Sequence, residues 1–198
     1  MLKNLDLAIL YFFNHKLANP IFDWFFLFIA ESKIFLAALA ILGIILFWRG
    51  SNRLRIAMIL VIACVAIVDP FSHYILKPLV GRIRPCYELD NIRLLVGCGG
   101  RFSFPSNHAA NSFAIACLIT YFYKRYAALV MAFAVLIGFS RIYLGRHYPS
   151  DVLGGMLLGA MVACLVIYLF RSILNYLESK NIMPNQIKSI QGVIPWRK

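Results

Sequence analysis

Twelve residues, Ser140–Asp151, place two arginines, a histidine and an aspartate between two long apolar runs, 126–140 and 152–170. Charge at the edge of a membrane-length run is costly unless it acts on something. His147 and Asp151 stand four apart, and Pro149-Ser150 reads as a helix start. Asp151 then falls in the first turn of the next helix, within reach of one imidazole nitrogen of His147. A carboxylate that holds one nitrogen leaves the other free and basic, the arrangement of an activated nucleophile. Arg141 and Arg146 point to an anionic substrate, most simply a phosphate. The bland alternative is a capping aspartate, a basic cluster at a membrane edge and an unrelated histidine.

Two further blocks suit the same chemistry. In Lys77-Pro78-Leu79-Val80-Gly81-Arg82-Ile83-Arg84-Pro85, a lysine and an arginine share one tight connector whose exit is fixed by proline. They can grip a phosphate from two sides, Lys77 as a point charge and Arg84 as a planar fork. Basic residues snorkelling from a span end would look the same. In Phe104-Pro105-Ser106-Asn107-His108 a helix begins. Its free N–H groups and dipole favour an anion, and Ser106 can add its hydroxyl. His108 lies in the first turn, placed to protonate a leaving oxygen. The competing reading is an ordinary Ser/Asn cap beside a surface histidine.

These blocks must be positioned by membrane helices. Of 198 residues, 62% are hydrophobic and 14% charged, and the mean hydropathy is +0.77. A water-soluble domain is nearer half apolar and a quarter charged. The fold class expected is all-α: one integral membrane bundle of six transmembrane helices, residues 1–198, with an amphipathic N-terminal segment. Segment length argues against a β-barrel. In residues 1–16, Leu2, Leu5, Ile9 and Phe12 share a helical face. This segment is either an interfacial helix or the start of a first, weaker span completed by 20–30. Further spans are expected at about 34–48, 56–76, 106–123, 126–140 and 151–170. Asp69 and His73 fall inside one of them, and a structural role is favoured for both.

Net charge is +12, with the basic residues divided among short loops. That distribution indicates topology and anionic lipid rather than nucleic acid. Counting loop 49–55, turn 124–125 and tail 171–198 as cytoplasmic puts loops 77–104 and 141–150 together outside. The outer loops are basic as well, which the positive-inside rule does not predict, so their charge is expected to serve function. The opening residues carry no signal-peptide pattern. Cys64, Cys117 and Cys164 lie in apolar runs and read as packing residues. Cys86 and Cys98 share the 77–104 loop on the oxidising side, where they could form a disulfide. No Cys-x-x-Cys or Cys/His cluster is present, so no zinc site is expected.

Lys77-x6-Arg84-Pro85, Pro105-Ser106-Asn107-His108 and Ser140-Arg141-x5-His147-x3-Asp151 together resemble the three signature motifs of the type 2 phosphatidic acid phosphatases. That superfamily also holds vanadium haloperoxidases and glucose-6-phosphatase. The resemblance covers about 75 residues directly, the motif core 77–151, and the six-span layout extends it. It implies hydrolysis without metal or cofactor, through a phosphohistidine. His147 would be the nucleophile, Asp151 its orienting partner and His108 the acid for the leaving group. Lys77, Arg84 and Arg141 would bind phosphoryl oxygens, helped by Ser106 and the backbone amide of Asn107. The family's second motif usually has glycine where this chain has Asn107. Its amide can still donate, while its side chain narrows the pocket or adds a donor. Arg82, Arg101 and Arg146 match no invariant role and are assigned to headgroup contacts.

The function expected is a membrane lipid phosphatase of a bacterial inner membrane, with its site facing the periplasm. The substrate would be lipid A 1-phosphate, undecaprenyl diphosphate or phosphatidylglycerol phosphate. Arg82, Arg93 and Arg101 suit a large anionic headgroup. The bilayer and its lipid phosphate are the only partners expected; oligomeric state is left open. A phosphotransferase using the same histidine, or a non-catalytic lipid-binding protein, are the alternatives.

Overall fold

Long apolar runs leave the backbone no hydrogen-bonding partner but itself, and the chain folds as helices. The computed structural model describes residues 2–180 and 182. Among them there is no strand, only an isolated antiparallel bridge between Ile83 and Phe102. Helix α1, Leu2–Tyr11, continues through a widened turn, Phe12–Lys16. Asn19 caps α2, Pro20–Glu31, by accepting from the Phe22 amide at 2.9 Å. Ser32 caps α3, Lys33–Arg49, and α2 and α3 meet at a 45° bend. Helix α4, Asn52–Val80, carries Pro70 and a wide turn at Phe71–Leu76. A short α5, Pro85–Glu88, precedes α6, Asn107–Phe122, α7, Ala127–Tyr143, and α8, Pro149–Ser179.

Three stretches are long and apolar enough to cross a membrane: Asn52–Val80, Lys124–Tyr143 and Pro149–Ser179. The bent pair α2–α3 makes a fourth if it is one span. Helix α6, at 16 residues, is shorter than a full crossing. Several expected boundaries shift. The loop expected from 77 begins after Val80, because the helix continues past Lys77 to the left-handed Gly81 at φ 64°. The tail expected from 171 begins later, because α8 runs to Ser179. Residues 183–198 of that tail lie outside the described residues. Arg141, expected in a loop, sits in the last turns of α7.

Helix α6 is the centre of the bundle. Its Ala110, Ala114 and Leu118 pack with Cys64 and Val68 of α4 and with Leu158, Val162, Ala163 and Val166 of α8. Small residues let α6 and α8 approach closely. A Cβ on Gly155 would lie 2.4 Å from the Ser106 carbonyl oxygen, and one on Gly159 would lie 2.0 Å from that of Ala110. By contrast α3 has no buried residue, and Ile34, Ile41 and Trp48 face outward. Apolar surface on that scale fits contact with lipid. On α1 the face turned to the protein carries Asp6, Leu10 and Asn14, while Leu5 and Phe12 point away. Two of its three inward anchors are thus polar.

Candidate active site

Residues 82–84 run antiparallel to 101–103. The Ser103 amide donates to the Arg82 carbonyl at 2.8 Å, and the Arg84 amide to the Arg101 carbonyl at 3.1 Å. A Cys86–Cys98 disulfide, with Cα atoms 6.1 Å apart, closes the loop between them. Lys77 is buried. Its ammonium donates to the carbonyls of Pro105 at 2.7 Å, Ser103 at 3.2 Å and Phe102 at 3.5 Å. One lysine thereby braces the segment that leads into α6 and keeps a positive charge beneath it. The Arg84 Nε donates to the Gly100 carbonyl at 2.5 Å.

These elements enclose a cavity of about 400 Å³. Of the eight sequence-expected site residues, Lys77, Arg84, Asn107, His108, Arg141 and His147 line it, together with Arg101 and Arg146. Three separated blocks of sequence therefore meet at one place. Ser106 and Asp151 stand behind the wall, both fully buried. The Ser106 amide donates to the Asp151 carbonyl at 3.0 Å, tying the starts of α6 and α8 together. Its hydroxyl has no hydrogen-bond partner among the described residues.

His147 is buried. Its Nε2 lies 3.0 Å from Arg84 Nη1. Guanidinium can only donate, so Nε2 is the acceptor and the ring proton belongs on Nδ1. Nδ1 faces Asp151 Oδ2 at 3.6 Å, an ion-pair separation longer than a hydrogen bond. Burial, then the surrounding Arg84, Lys77, Arg141 and Arg146, hold this imidazole well below its ordinary value of 6.5. It is therefore neutral, with a lone pair on Nε2, at neutral pH. Burial also pushes Arg84 down to about 10, which leaves it cationic. Asp151 accepts from the Tyr148 amide on Oδ2 and from Arg82 on Oδ1, both at 2.8 Å.

The expected headgroup arginines divide. Arg101 is exposed on the cavity rim. Arg82 and Arg93 are corrections: each meets carboxylates within the protein. Arg82 bridges Asp151 at 2.8 Å and Asp6 at 2.7 Å, and Arg93 pairs with Asp23. Arg141 and Arg146 share Glu31 Oε1, at 2.7 and 2.6 Å, and Arg141 Nη2 also donates to the Ala30 carbonyl at 2.9 Å. Glu31 read only as a polar break between helices. Its signal was scarcity: the chain has 8 acids against 20 lysines and arginines, so an acid among apolar residues is apt to have cationic partners. Asn107 turns its side chain to α4. Ser72 donates to its Oδ1 at 2.7 Å, and its Nδ2 donates to Asp69 Oδ1 at 2.9 Å. Asp69 also accepts from Asn111 at 3.0 Å, the bracing role expected for it. The extra donor that asparagine brings is thus spent inside the bundle.

A second cavity of about 800 Å³ adjoins the first. His73, Tyr74, Asn107, His108 and Arg141 line both, and Phe35, Leu36, Leu39 and Phe133 make the far side apolar.

Residues 54–174 match the model of the PAP2 superfamily. A lipid A 4'-phosphatase of Bacteroides thetaiotaomicron is 31% identical over 193 residues, 93% of this chain and 85% of that protein. Undecaprenyl-diphosphatase BcrC of Bacillus subtilis is 29% identical, covering 74% of each chain. The crystal structure of Aquifex aeolicus LpxE superposes with a TM-score of 0.65 at 27% identity, over 83% of this chain and 95% of that one. The cavity's cations and histidines, the motifs that supply them and these likenesses agree: the chain is a phosphatase belonging to the PAP2 superfamily.

Proposed function

We propose that the chain removes a phosphate from a lipid phosphate or diphosphate at the periplasmic face of a bacterial inner membrane, through a phosphohistidine. The phosphate occupies the smaller cavity and the lipid chain lies in the larger, apolar one. Arg84 leaves His147 Nε2 for a phosphoryl oxygen. The freed lone pair attacks phosphorus, the bond to the lipid oxygen breaks, and His108 gives that oxygen a proton. Water, losing its proton to His108, then splits the N–P bond and phosphate departs. Lys77, Arg84 and Arg141 stabilise the equatorial oxygens, the Asn107 amide adds a donor, and Ser106 supports that helix start. Asp151 orients His147 and stabilises its charge. The step draws its positive charge from side chains, so no metal or cofactor is required.

The observation that carries this reading is the convergence of Lys77, Arg84, His108, Arg141 and His147 on one cavity beside an apolar groove. One catalytic unit, α1 at the interface on the face of the site and a cytoplasmic tail complete the proposal; because Asp6, Asp23 and Glu31 all meet residues of the site-side loops, five crossings, by α3, α4, α6, α7 and α8, replace the six expected. The Cys86–Cys98 disulfide supports an oxidising, periplasmic location for the site loops. Candidate substrates are lipid A 1-phosphate, undecaprenyl diphosphate and phosphatidylglycerol phosphate; relatives named as a lipid A 4'-phosphatase and an undecaprenyl-diphosphatase support lipid A, there at its 4'-phosphate, and undecaprenyl diphosphate as classes.

Phosphate release by purified protein from these three lipids in detergent tests it. His147→Ala and His108→Ala should each abolish release while the protein stays folded. Full activity in either overturns the mechanism. EDTA should leave release unchanged, and labelled phosphate should be trapped on protein as an acid-labile, base-stable adduct.

A further inference from the structure

The carboxylate behind His147 does not stand alone. Arg82 Nη1 donates to Asp151 Oδ1 at 2.8 Å and to Ser150 Oγ at 2.5 Å, while Nη2 donates to Asp6 Oδ2 at 2.7 Å. Asp6 is buried and also receives the Ser150 amide, on Oδ1 at 2.9 Å, and the Ser150 hydroxyl. It thus sits at the start of α8, where free N–H groups favour a carboxylate. The guanidinium of Arg82 lies 3.9 Å over the Tyr148 ring, and Tyr148 is anchored by donating to Glu88 at 2.8 Å. Arg82 is therefore fixed by stacking and by two carboxylates that its planar fork bridges.

We infer that Arg82, held by Asp6 of the amino-terminal helix, is a positioning residue that fixes Asp151 against His147. This rests on the roles proposed above for His147 and Asp151. Asp6 lies outside residues 54–174, the span the family model matches. The amino-terminal helix thereby adds a support to the site from outside that span. The consequence is electrostatic as well as geometric. Arg84, Lys77, Arg141, Arg146 and Asp151 surround His147, and only Asp151 is negative. Arg82 and Asp6 in turn face Asp151. With Arg82 in place, part of the Asp151 charge is answered from behind. Without it, the full carboxylate charge falls on His147 and favours its protonated form.

The test measures kcat, KM and the pH profile of phosphate release for Arg82→Gln, Arg82→Lys, Asp6→Asn and the Asp6→Asn/Arg82→Gln pair, with His147→Ala as reference. Arg82→Gln should lower kcat about 10- to 100-fold, the range typical of a group that orients a site residue, and change KM less than about 2-fold. Its acid limb should move to higher pH. Arg82→Lys should not rescue, since an ammonium lacks the fork. Asp6→Asn removes the carboxylate that competes with Asp151 for Arg82, so it should move the same limb the other way, to lower pH. The double variant should cost no more than Arg82→Gln alone, because Asp6 acts through Arg82. A folded Arg82→Gln protein with full kcat, or one with lowered kcat and an unmoved acid limb, overturns the inference. So does an additive double variant. If His147→Ala itself releases phosphate, the proposed mechanism fails instead. If Arg82→Gln does not fold, Asp6→Asn decides: an unmoved acid limb there overturns the inference.

Discussion

Replacing Gly159 by alanine tests how the site is held in register. Gly159 lies on α8, two turns below Asp151, and faces α6. A Cβ there would sit 2.0 Å from the Ala110 carbonyl oxygen, 2.9 Å from its carbon and 3.0 Å from the Ala114 nitrogen. Real Cβ atoms do not come within 3.0 Å and ordinary contact begins near 3.4 Å, so α6 and α8 must part by roughly 1–1.4 Å, because backbone atoms cannot rotate away. Overpacking of this kind costs about 1–3 kcal/mol. The larger effect falls on geometry. His108 and the Asn107 amide come from the start of α6, Asp151 from the start of α8, and the Ser106 amide links them at 3.0 Å. A displacement near 1 Å between reacting groups costs on the order of 100-fold in rate. The assay is phosphate release from one chosen lipid, with circular dichroism and thermal melting on the same sample. Gly43→Ala is the control, since its Cβ would meet only Met58 at 3.7 Å. Activity of Gly159→Ala within 2-fold of the parent, in a folded protein, would refute the claim that this contact sets the register.

Three further outcomes follow from described contacts. Glu31→Gln removes the carboxylate shared by Arg141 and Arg146; it should bind vanadate about tenfold tighter, since one negative charge leaves the neighbourhood of the cavity, yet unfold about 1–3 kcal/mol more easily because Arg141 stays buried without it. Unchanged vanadate inhibition sinks this. Opening the Cys86–Cys98 link, 12 residues apart, by paired serine substitution should lower stability by about 3 kcal/mol, read from the denaturation midpoint. His147 is held neutral in the fold, whereas an unfolded histidine protonates near pH 6.5. Below that pH the unfolded chain binds more protons, so stability is lost as pH falls, by up to about 1.4 kcal/mol per unit; the slope should flatten in His147→Gln, and an equal slope would count against it.

The sequence made the cavity legible because phosphate chemistry needs rare residues, and these stand in three compact blocks whose order survives in the fold. Helices were legible because apolar runs in lipid have one backbone solution. What could not be read was how each acid is spent. Glu31, Asp6 and Asp23 lie far along the chain from Arg141, Arg82 and Arg93, and no local spacing links them. The inward face of α1 was hidden for a related reason. Leu5 and Phe12 look like packing residues, yet Asp6 and Asn14 make the anchoring hydrogen bonds. Tight helix contacts at Gly155 and Gly159 were likewise invisible, since their value lies in an absent side chain meeting a distant backbone.

The two adjoining cavities share His108 and Arg141 but lead to different surroundings. One is bordered by loop residues such as Gly100 and Arg101, the other by apolar side chains of α2, α3 and α7. On the proposed reading, cleavage happens at a phase boundary. Phosphate is diluted into water and the lipid product into the bilayer, each by its own door. Re-forming the bond would run the two steps backwards: phosphate would return by one door to phosphorylate His147, and the lipid product would return by the other before water splits the phosphohistidine. Directionality then comes from partitioning as much as from bond energy, and neither product has to wait for the other to clear its path.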